Sequence, residues 1–121
     1  SDMKVVLVVA GCIIMYNSFG QAQALTFYPL KEWKISNGTN EVSYVLTKGT
    51  YYCLDTQNLK SGKFTLENSK REAILTHDLS DSCIMWHINQ TGIFYLRFTE
   101  TKGGAVLLGF NRTPIQFAKS R

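Results

Sequence analysis

Alternation of apolar and polar residues is the dominant pattern along this chain. The segments Val42 to Leu46, Lys63 to Glu67 and Ile93 to Thr99 each place apolar side chains at every second position. A period of two is typical of strands that bury one face, whereas an amphipathic helix needs a period of 3.6. No long segment shows the helical period, so the chain is predicted to be all-β.

Turn residues divide the rest of the pattern into further short strands. Lys48-Gly49, Asn68-Ser69-Lys70 and Lys102-Gly103-Gly104 are typical of turns. Short strands at this spacing predict an antiparallel β-sandwich or small barrel of about seven to eight short strands. The additional strands are expected at 50–54, 83–88, 105–110 and 115–117, while 72–76 fits either a strand or one helical turn.

The beginning of the chain has a different character. Residues 1–2 precede the first methionine and are interpreted as an expression scar left by tag removal. Lys4, an apolar run over 5–16 and the small-residue site Ala22-Gln23-Ala24 then follow in the order of a secretory signal peptide. We therefore predict a signal peptide at 3–24.

The rest of the chain, 25–121, is then a single β-rich secreted domain. The apolar run before it is shorter than the ~20 residues that a spanning helix needs, so no stable membrane span is expected. Should the leader be retained, its β-branched residues favour an extra strand; an apolar helix against a groove or a second copy is the alternative.

Cysteine usage agrees with export. Cys12 lies in the leader, which leaves Cys53 and Cys83 in the predicted domain. An even count in an exported chain favours one disulfide, and two buried free thiols are the alternative. Neither residue belongs to a C-x-x-C motif, which disfavours zinc binding and redox catalysis.

Three N-x-S/T sequons follow the leader, at Asn37, Asn89 and Asn111. Such sequons accept N-linked glycans in the secretory pathway, where the modified asparagine must lie on the surface. Together with the leader and the cysteines, they predict a glycoprotein that is secreted, extracellular or held in the lumen of the secretory pathway.

The net charge of +4 is spread along the chain and indicates a solvated surface. A second interpretation makes the basic turn around Lys60 and Lys63 a contact for an anionic glycan, lipid headgroup or acidic protein. Trp33 and Trp86 are either core or rim anchors or side chains that stack on a ligand. No basic helix or RNA-binding aromatic motif is present, so nucleic acid is not an expected partner.

Catalytic and metal-binding signals are weak. His77, Asp78, Asp81 and His87 match no recognised ligand spacing, and no serine lies in a G-x-S-x-G motif. We therefore expect no enzymatic activity, no cofactor and no metal.

Three functions stay open at this point. The first is a binding module that recognises a protein, glycan or lipid through a sheet face, an edge strand or the loops at 60–63 and 80–82. The second is a small barrel that carries an apolar ligand in a cavity lined by Phe94, Leu96, Phe98 and Leu107. The third is a hydrolytic or metal enzyme, which would need His77, Asp78 and His87 to converge.

Overall fold

A computed structural model describes residues 5–9, 12–16, 22–79 and 83–111. All regular structure in this part of the chain is β, and no helix in it is long and apolar enough to cross a membrane. The nine strands are β1 (Val5–Val9), β2 (Cys12–Tyr16), β3 (Ala22–Thr26), β4 (Tyr28–Leu46), β5 (Tyr51–Asp55), β6 (Lys63–Glu67), β7 (Ala73–Asp78), β8 (Cys83–His87) and β9 (Gly92–Asn111).

The first three strands form a small antiparallel sheet of their own, in the order β1-β2-β3. It falls within the predicted leader and its boundary with the domain, where the retained-leader alternative expected one strand. The signal peptide itself stays a prediction.

The other six strands form one antiparallel sheet that is nearly closed into a barrel. Strands β7, β6, β9, β5 and β8 follow one another, and β4 pairs with the opposite side of β9. The all-β prediction is therefore confirmed, but the expected seven to eight strands were too many because the domain sheet has six.

The difference arises in β9, where a turn was expected at Gly103-Gly104. The strand instead runs through these residues with φ angles of +90° and +142°. Its first half pairs with β6 and its second half with β5, while β4 follows it throughout. The glycine pair therefore bends one long strand instead of joining two short ones.

The bend brings the two halves of the sheet together around an aromatic core. Phe64 of β6 lies with its ring centroid 5.8 Å from that of Trp86 on β8 and 5.2 Å from that of Phe98 on β9. Phe64 and Phe98 expose no surface. Burial of a phenylalanine side chain contributes about 1.5–3 kcal/mol, so this contact between the two halves is a main source of stability.

A disulfide joins Cys53 and Cys83, as the cysteine count predicted. The two residues lie on the neighbouring strands β5 and β8, with their Cα atoms 6.4 Å apart. The bridge is consistent with an oxidising, extracellular setting, because disulfides persist there and are rare in the cytosol.

Several strand predictions agree with the structure. β6 covers the predicted 63–67, and 72–76 lies mostly in a strand and not in a helical turn. The first half of β4 has no counterpart in the sequence-based prediction, since it contains a proline and many charges. The strand predicted at 115–117 lies outside the described residues.

Candidate interaction surface

The longest strand edge in the described part of the chain belongs to β4. This strand of 19 residues pairs with β9 on one side and with no other described strand. An unpaired edge presents backbone N–H and C=O groups that can pair with another chain, and proteins commonly protect such edges with charge, proline or bulges.

The first half of β4 carries all three kinds of protection. Pro29 lies beside an interruption of the register with β9, and Lys31, Glu32 and Lys34 are exposed. Proline removes one backbone donor, and closely spaced charges oppose the approach of a second apolar strand. This half of the edge is therefore poorly suited to pairing.

A bulge between Gly38 and Asn40 separates the two halves of β4. The Asn40 side chain replaces a strand partner there, because its Oδ1 accepts the N–H of Ser36 at 3.0 Å and its Nδ2 donates to the Ser36 carbonyl at 2.8 Å. The buried Thr101 hydroxyl donates to the Ser36 and Gly38 carbonyls at 2.6 and 3.2 Å. Side chains of both β4 and β9 thus hold the backbone of the bulge.

The second half of β4, Asn40–Leu46, is the open edge. Its pairing with β9 runs without interruption from Asn40 opposite Phe98 to Leu46 opposite Gly92. Glu41 is its one charged residue, and it contains no proline. This segment has no bulge, is weakly charged and is long enough to pair with an added strand.

An exposed aliphatic pair lies at the end of the open edge. Val45 and Ile93 face each other across β4 and β9, with 57% and 48% of their surface exposed. Together with Ser43 and Tyr44 they line a surface crevice. Sequence alternation could have identified Val45, since Tyr44 and Leu46 on the same strand point the other way.

A charged cluster borders the open edge on the same sheet. Arg71, from the turn between β6 and β7, donates two hydrogen bonds to the Glu41 carboxylate, at 2.7 and 3.0 Å, and one to Glu67 at 3.3 Å. Its guanidinium carbon also lies 3.6 Å from the centroid of the Tyr95 ring. The hydrogen bonds between Arg71 and Glu41 hold the pKa of Glu41 below its ordinary value and the pKa of Arg71 above its own.

Arg71 reaches this position through an uncommon backbone conformation. Its φ angle is +67°, in a region that L-residues other than asparagine and aspartate rarely occupy. Asn68 holds the turn, because its Oδ1 accepts the N–H groups of Lys70 and Glu72, both at 2.9 Å. Nothing in the sequence pattern paired Arg71 with Glu41, which lies 30 residues away. The cluster neutralises Glu41, which leaves the open edge without net charge.

The tryptophans named by the sequence lie in different surroundings. Trp86 is a core residue with 8% of its surface exposed, stacked on Tyr52 at 6.1 Å. Its indole Nε1 is buried without a hydrogen-bond partner. Trp33 is half-buried and packs edge-on against Tyr44 of the open edge at 5.8 Å. Trp33 therefore supports the open edge from the inner face.

Lys60 and Lys63 are exposed, on the loop before β6 and at its first residue. Lys63 lies opposite Asp78 and Thr99, and the backbone of Lys60 bonds to that of Gly103 and Lys102. The two lysines therefore belong to the bend in the sheet, apart from the open edge. Of the second predicted binding loop, residues 80–82 lie outside the described residues.

Among the described residues, no group of three or more histidine, cysteine, aspartate or glutamate side chains could hold a metal ion. His77 and Asp78 are adjacent on β7, where the His77 Nδ1 lies 3.0 Å from the Asp78 carbonyl oxygen. His87 is exposed on β8 and packs beside Tyr51, with ring centroids 5.2 Å apart. Asp81 lies outside the described residues.

The residues proposed to line a ligand cavity are tightly packed instead. Leu96 and Phe98 expose no surface, and Phe94 exposes 6%. A cavity large enough for a water molecule would leave exposed surface on the residues that line it. Leu107 lies one residue away from the buried Val106 and Leu108, and therefore on the opposite face of β9.

The sequons occupy three separate places. Asn37 lies just before the bulge of β4 and Asn89 in the turn between β8 and β9, and both are exposed. Asn111 is the last residue of β9. In the second sequon, the Thr91 hydroxyl accepts the N–H of Lys48 at 2.9 Å.

One carboxylate is buried away from this surface. Asp55, at the end of β5, has 7% of its surface exposed, and its Oδ1 accepts the N–H of Gln57 at 3.0 Å. Burial raises the pKa of Asp55 above its ordinary value, although the bond from Gln57 acts in the opposite direction. The side chain stabilises the turn after β5.

Comparison with known proteins gives no relative to guide the assignment. No protein-family model matches the chain, and neither a curated protein nor a solved structure matches it significantly. The functional argument therefore depends on the geometry of the chain itself.

Proposed function

We propose that this protein is a secreted, non-enzymatic binding module that captures an extended segment of a partner protein by strand addition. The partner strand pairs with the open edge of β4, Asn40–Leu46. The observation that carries the proposal is the contrast between the two halves of β4: the first half is protected, whereas the second has an uninterrupted register with β9 and a single charged residue.

Strand addition supplies affinity and specificity separately. Backbone hydrogen bonds along the edge give affinity for any extended segment, and side-chain contacts at alternate positions select among segments. Glu41, Ser43 and Val45 alternate on one face of the open edge and are all exposed. Val45 is aliphatic and 57% exposed, so the preferred partner residue next to it is apolar.

The aliphatic pair sets the scale of this contact. Complete burial of a valine or isoleucine side chain contributes about 1.5–3 kcal/mol, and roughly half of each is exposed here. An added strand lies next to Val45 but two strands away from Ile93. Covering Val45 therefore contributes about 1 kcal/mol, or roughly fivefold in Kd, and Ile93 adds only what a long partner side chain can reach. Backbone pairing adds to this value.

The experiment uses the full chain secreted by a eukaryotic host as an immobilised bait. Wild type, Ser43→Lys and Val45→Lys are compared for the proteins that each captures from the extracellular fluid into which the chain is secreted. Lysine on an edge strand disfavours pairing, so both variants should lose the captured partner at least tenfold. Thermal unfolding of each variant checks that its fold is retained.

Gln57→Lys is the matched control, because it adds the same charge at an exposed position of the β5–β6 loop. A second control, Lys60→Ser with Lys63→Ser, tests the basic loop that the sequence also suggested. Retained capture by both controls supports the open edge. If the partner is lost in the Lys60→Ser, Lys63→Ser variant but kept by Val45→Lys, binding would be assigned to the basic loop instead.

A further inference from the structure

One face of β5 is buried outside the aromatic core. Cys53 exposes no surface, although it points away from the face on which its neighbours Tyr52 and Leu54 join the core. Phe27, the residue before β4, is also buried outside that core, and a Cβ atom at Gly109 would overlap its ring. Gly109 of β9 pairs directly with Cys53. The Phe27 ring and the Cys53 side chain therefore lie side by side on one face of the sheet.

The two sulfurs of the disulfide differ in access. The bridge runs from Cys53 on β5 to Cys83 on β8, so β9 lies behind Cys53, whereas no described strand lies behind Cys83. Cys83 keeps 9% of its surface exposed and Cys53 keeps none. A thiolate attacks a disulfide from behind the sulfur that it joins, so access to that side decides which sulfur reacts. Behind Cys53 the path crosses Gly109, where the Phe27 ring lies, and behind Cys83 it leads over the edge of the sheet.

We propose that a small extracellular thiol exchanges with this bridge at Cys83, and that the Phe27 ring protects Cys53 from the same attack. The incoming thiolate forms a new sulfur–sulfur bond to Cys83 while the bond between Cys83 and Cys53 breaks. Cys53 leaves with the bonding electrons as a thiolate and then takes a proton from solvent. One disulfide is consumed and one is formed, so the step needs no other oxidant or reductant. It does not depend on any partner of the open edge.

The test treats the full secreted chain with 2-mercaptoethanol in native buffer. This thiol carries no charged group besides its thiolate, which matters because Asp55 lies opposite Cys83 and its carboxylate would repel an acidic thiol. At early time points, excess iodoacetamide stops the exchange and alkylates the released cysteine. Peptide mass spectrometry then shows which cysteine carries the mercaptoethanol group and which carries the alkyl group.

Three variants separate protection by the ring from unfolding. Phe27→Ala removes the ring, and Phe27→Leu keeps a bulky apolar side chain in its place. Gly103→Ala controls for exchange through the unfolded chain, in which both sulfurs are accessible. It strains the backbone at a φ of +90° and lies six residues from Gly109 on β9, or roughly 20 Å along the strand. Thermal unfolding of each variant checks that it is folded at the temperature of the reaction.

Wild type, Phe27→Leu and Gly103→Ala should carry roughly tenfold more mercaptoethanol on Cys83 than on Cys53. Phe27→Ala should lose this preference and exchange faster, because both sulfurs are then open to attack. Equal adducts on the two cysteines of wild type, an excess on Cys53, or no exchange in native buffer would overturn the site at Cys83. A wild-type distribution in Phe27→Ala, or a loss of preference in Gly103→Ala, would overturn the protection by Phe27.

Discussion

Replacing Gly104 with alanine tests the bend in β9 that brings the two halves of the sheet together. Gly104 has a φ of +142°, which L-residues rarely adopt. A Cβ atom there would overlap the carbonyl oxygen of Asn58 and lie 3.0 Å from the Cα of Leu59. Neither group can withdraw freely, because the Asn58 carbonyl accepts the N–H of Ala105 at 3.1 Å and Leu59 forms a bridge with Gly104.

The expected cost follows from these contacts. A residue held in a glycine-specific backbone region costs about 1–3 kcal/mol, and the overlap with fixed backbone adds to this. We therefore expect Gly104→Ala to lower the free energy of unfolding by about 3 kcal/mol or more. Since small domains have a total stability of about 5–15 kcal/mol, this is a large fraction of the whole.

Two other glycines of β9 serve as controls for Gly104→Ala. Gly103 has a φ of +90°, but its nearest neighbour would be the Ile35 carbonyl oxygen at 3.5 Å. Gly103→Ala should therefore cost only the backbone conformation, about 1–2 kcal/mol. A Cβ at Gly92 meets nothing within 4 Å, so Gly92→Ala should be neutral or slightly stabilising.

Urea unfolding followed by tryptophan fluorescence measures the stability of the three glycine variants, since Trp86 lies in the core between the two halves of the sheet. The order of stability should be Gly92→Ala, then Gly103→Ala, then Gly104→Ala. Equal stability of Gly104→Ala and Gly92→Ala would refute the bend and, with it, the contact between β6 and β8.

Three further predictions concern the disulfide, the buried acid and the charged cluster. The double variant Cys53→Ala, Cys83→Ala should lose about 3–4 kcal/mol in urea unfolding, because the bridge joins residues 30 apart in sequence; an unchanged midpoint would contradict this. Folding raises the pKa of Asp55, so the contribution of Asp55 to stability is greatest below the ordinary aspartate value of 3.8 and falls as the pH rises through the raised pKa. Asp55→Asn should lack this fall and be more stable than wild type at neutral pH, whereas parallel pH profiles of the two proteins would exclude Asp55 as the cause. Arg71→Gln loses the bonds to Glu41 and keeps the strained φ, whereas Arg71→Gly loses the bonds and relieves the strain. Arg71→Gln should therefore have a lower melting temperature than Arg71→Gly. Its deficit relative to wild type should shrink in high salt, because salt weakens the ion pair that only the wild type has.

Strand content was readable from the sequence where burial alone determined the pattern. In 63–67, Phe64 and Leu66 are buried and the residues between them are not, so the alternation matches the strand. Gly103-Gly104 misled the prediction, because glycine permits a turn and a bent strand equally well. The choice depends on the close approach of Asn58 and Leu59, which are distant in sequence.

The interaction surface was less accessible to sequence reasoning. The first half of β4 buries Ile35 as its one fully buried residue, and a strand that is exposed on most positions shows little alternation. Its pairing with β9 holds it in place instead. Likewise, Glu41 and Arg71 are 30 residues apart, and only the turn conformation at Arg71 brings them together. Edges and long-range ion pairs depend on topology, which local patterns do not encode.

Position-specific photo-crosslinking tests the central claim, that the open edge of β4 receives a partner strand, most directly. A photoreactive side chain is placed at Val45 in the full secreted chain, and at Gln57 in a second protein for comparison. Each protein is then illuminated in the extracellular fluid into which the chain is secreted. Mass spectrometry of the adducts then locates the attachment on both proteins. A single adduct at Val45, joined to one extended segment of a partner and absent at Gln57, is the predicted result. Adducts at Gln57 alone, equal adducts at both positions, or none at Val45 would contradict it.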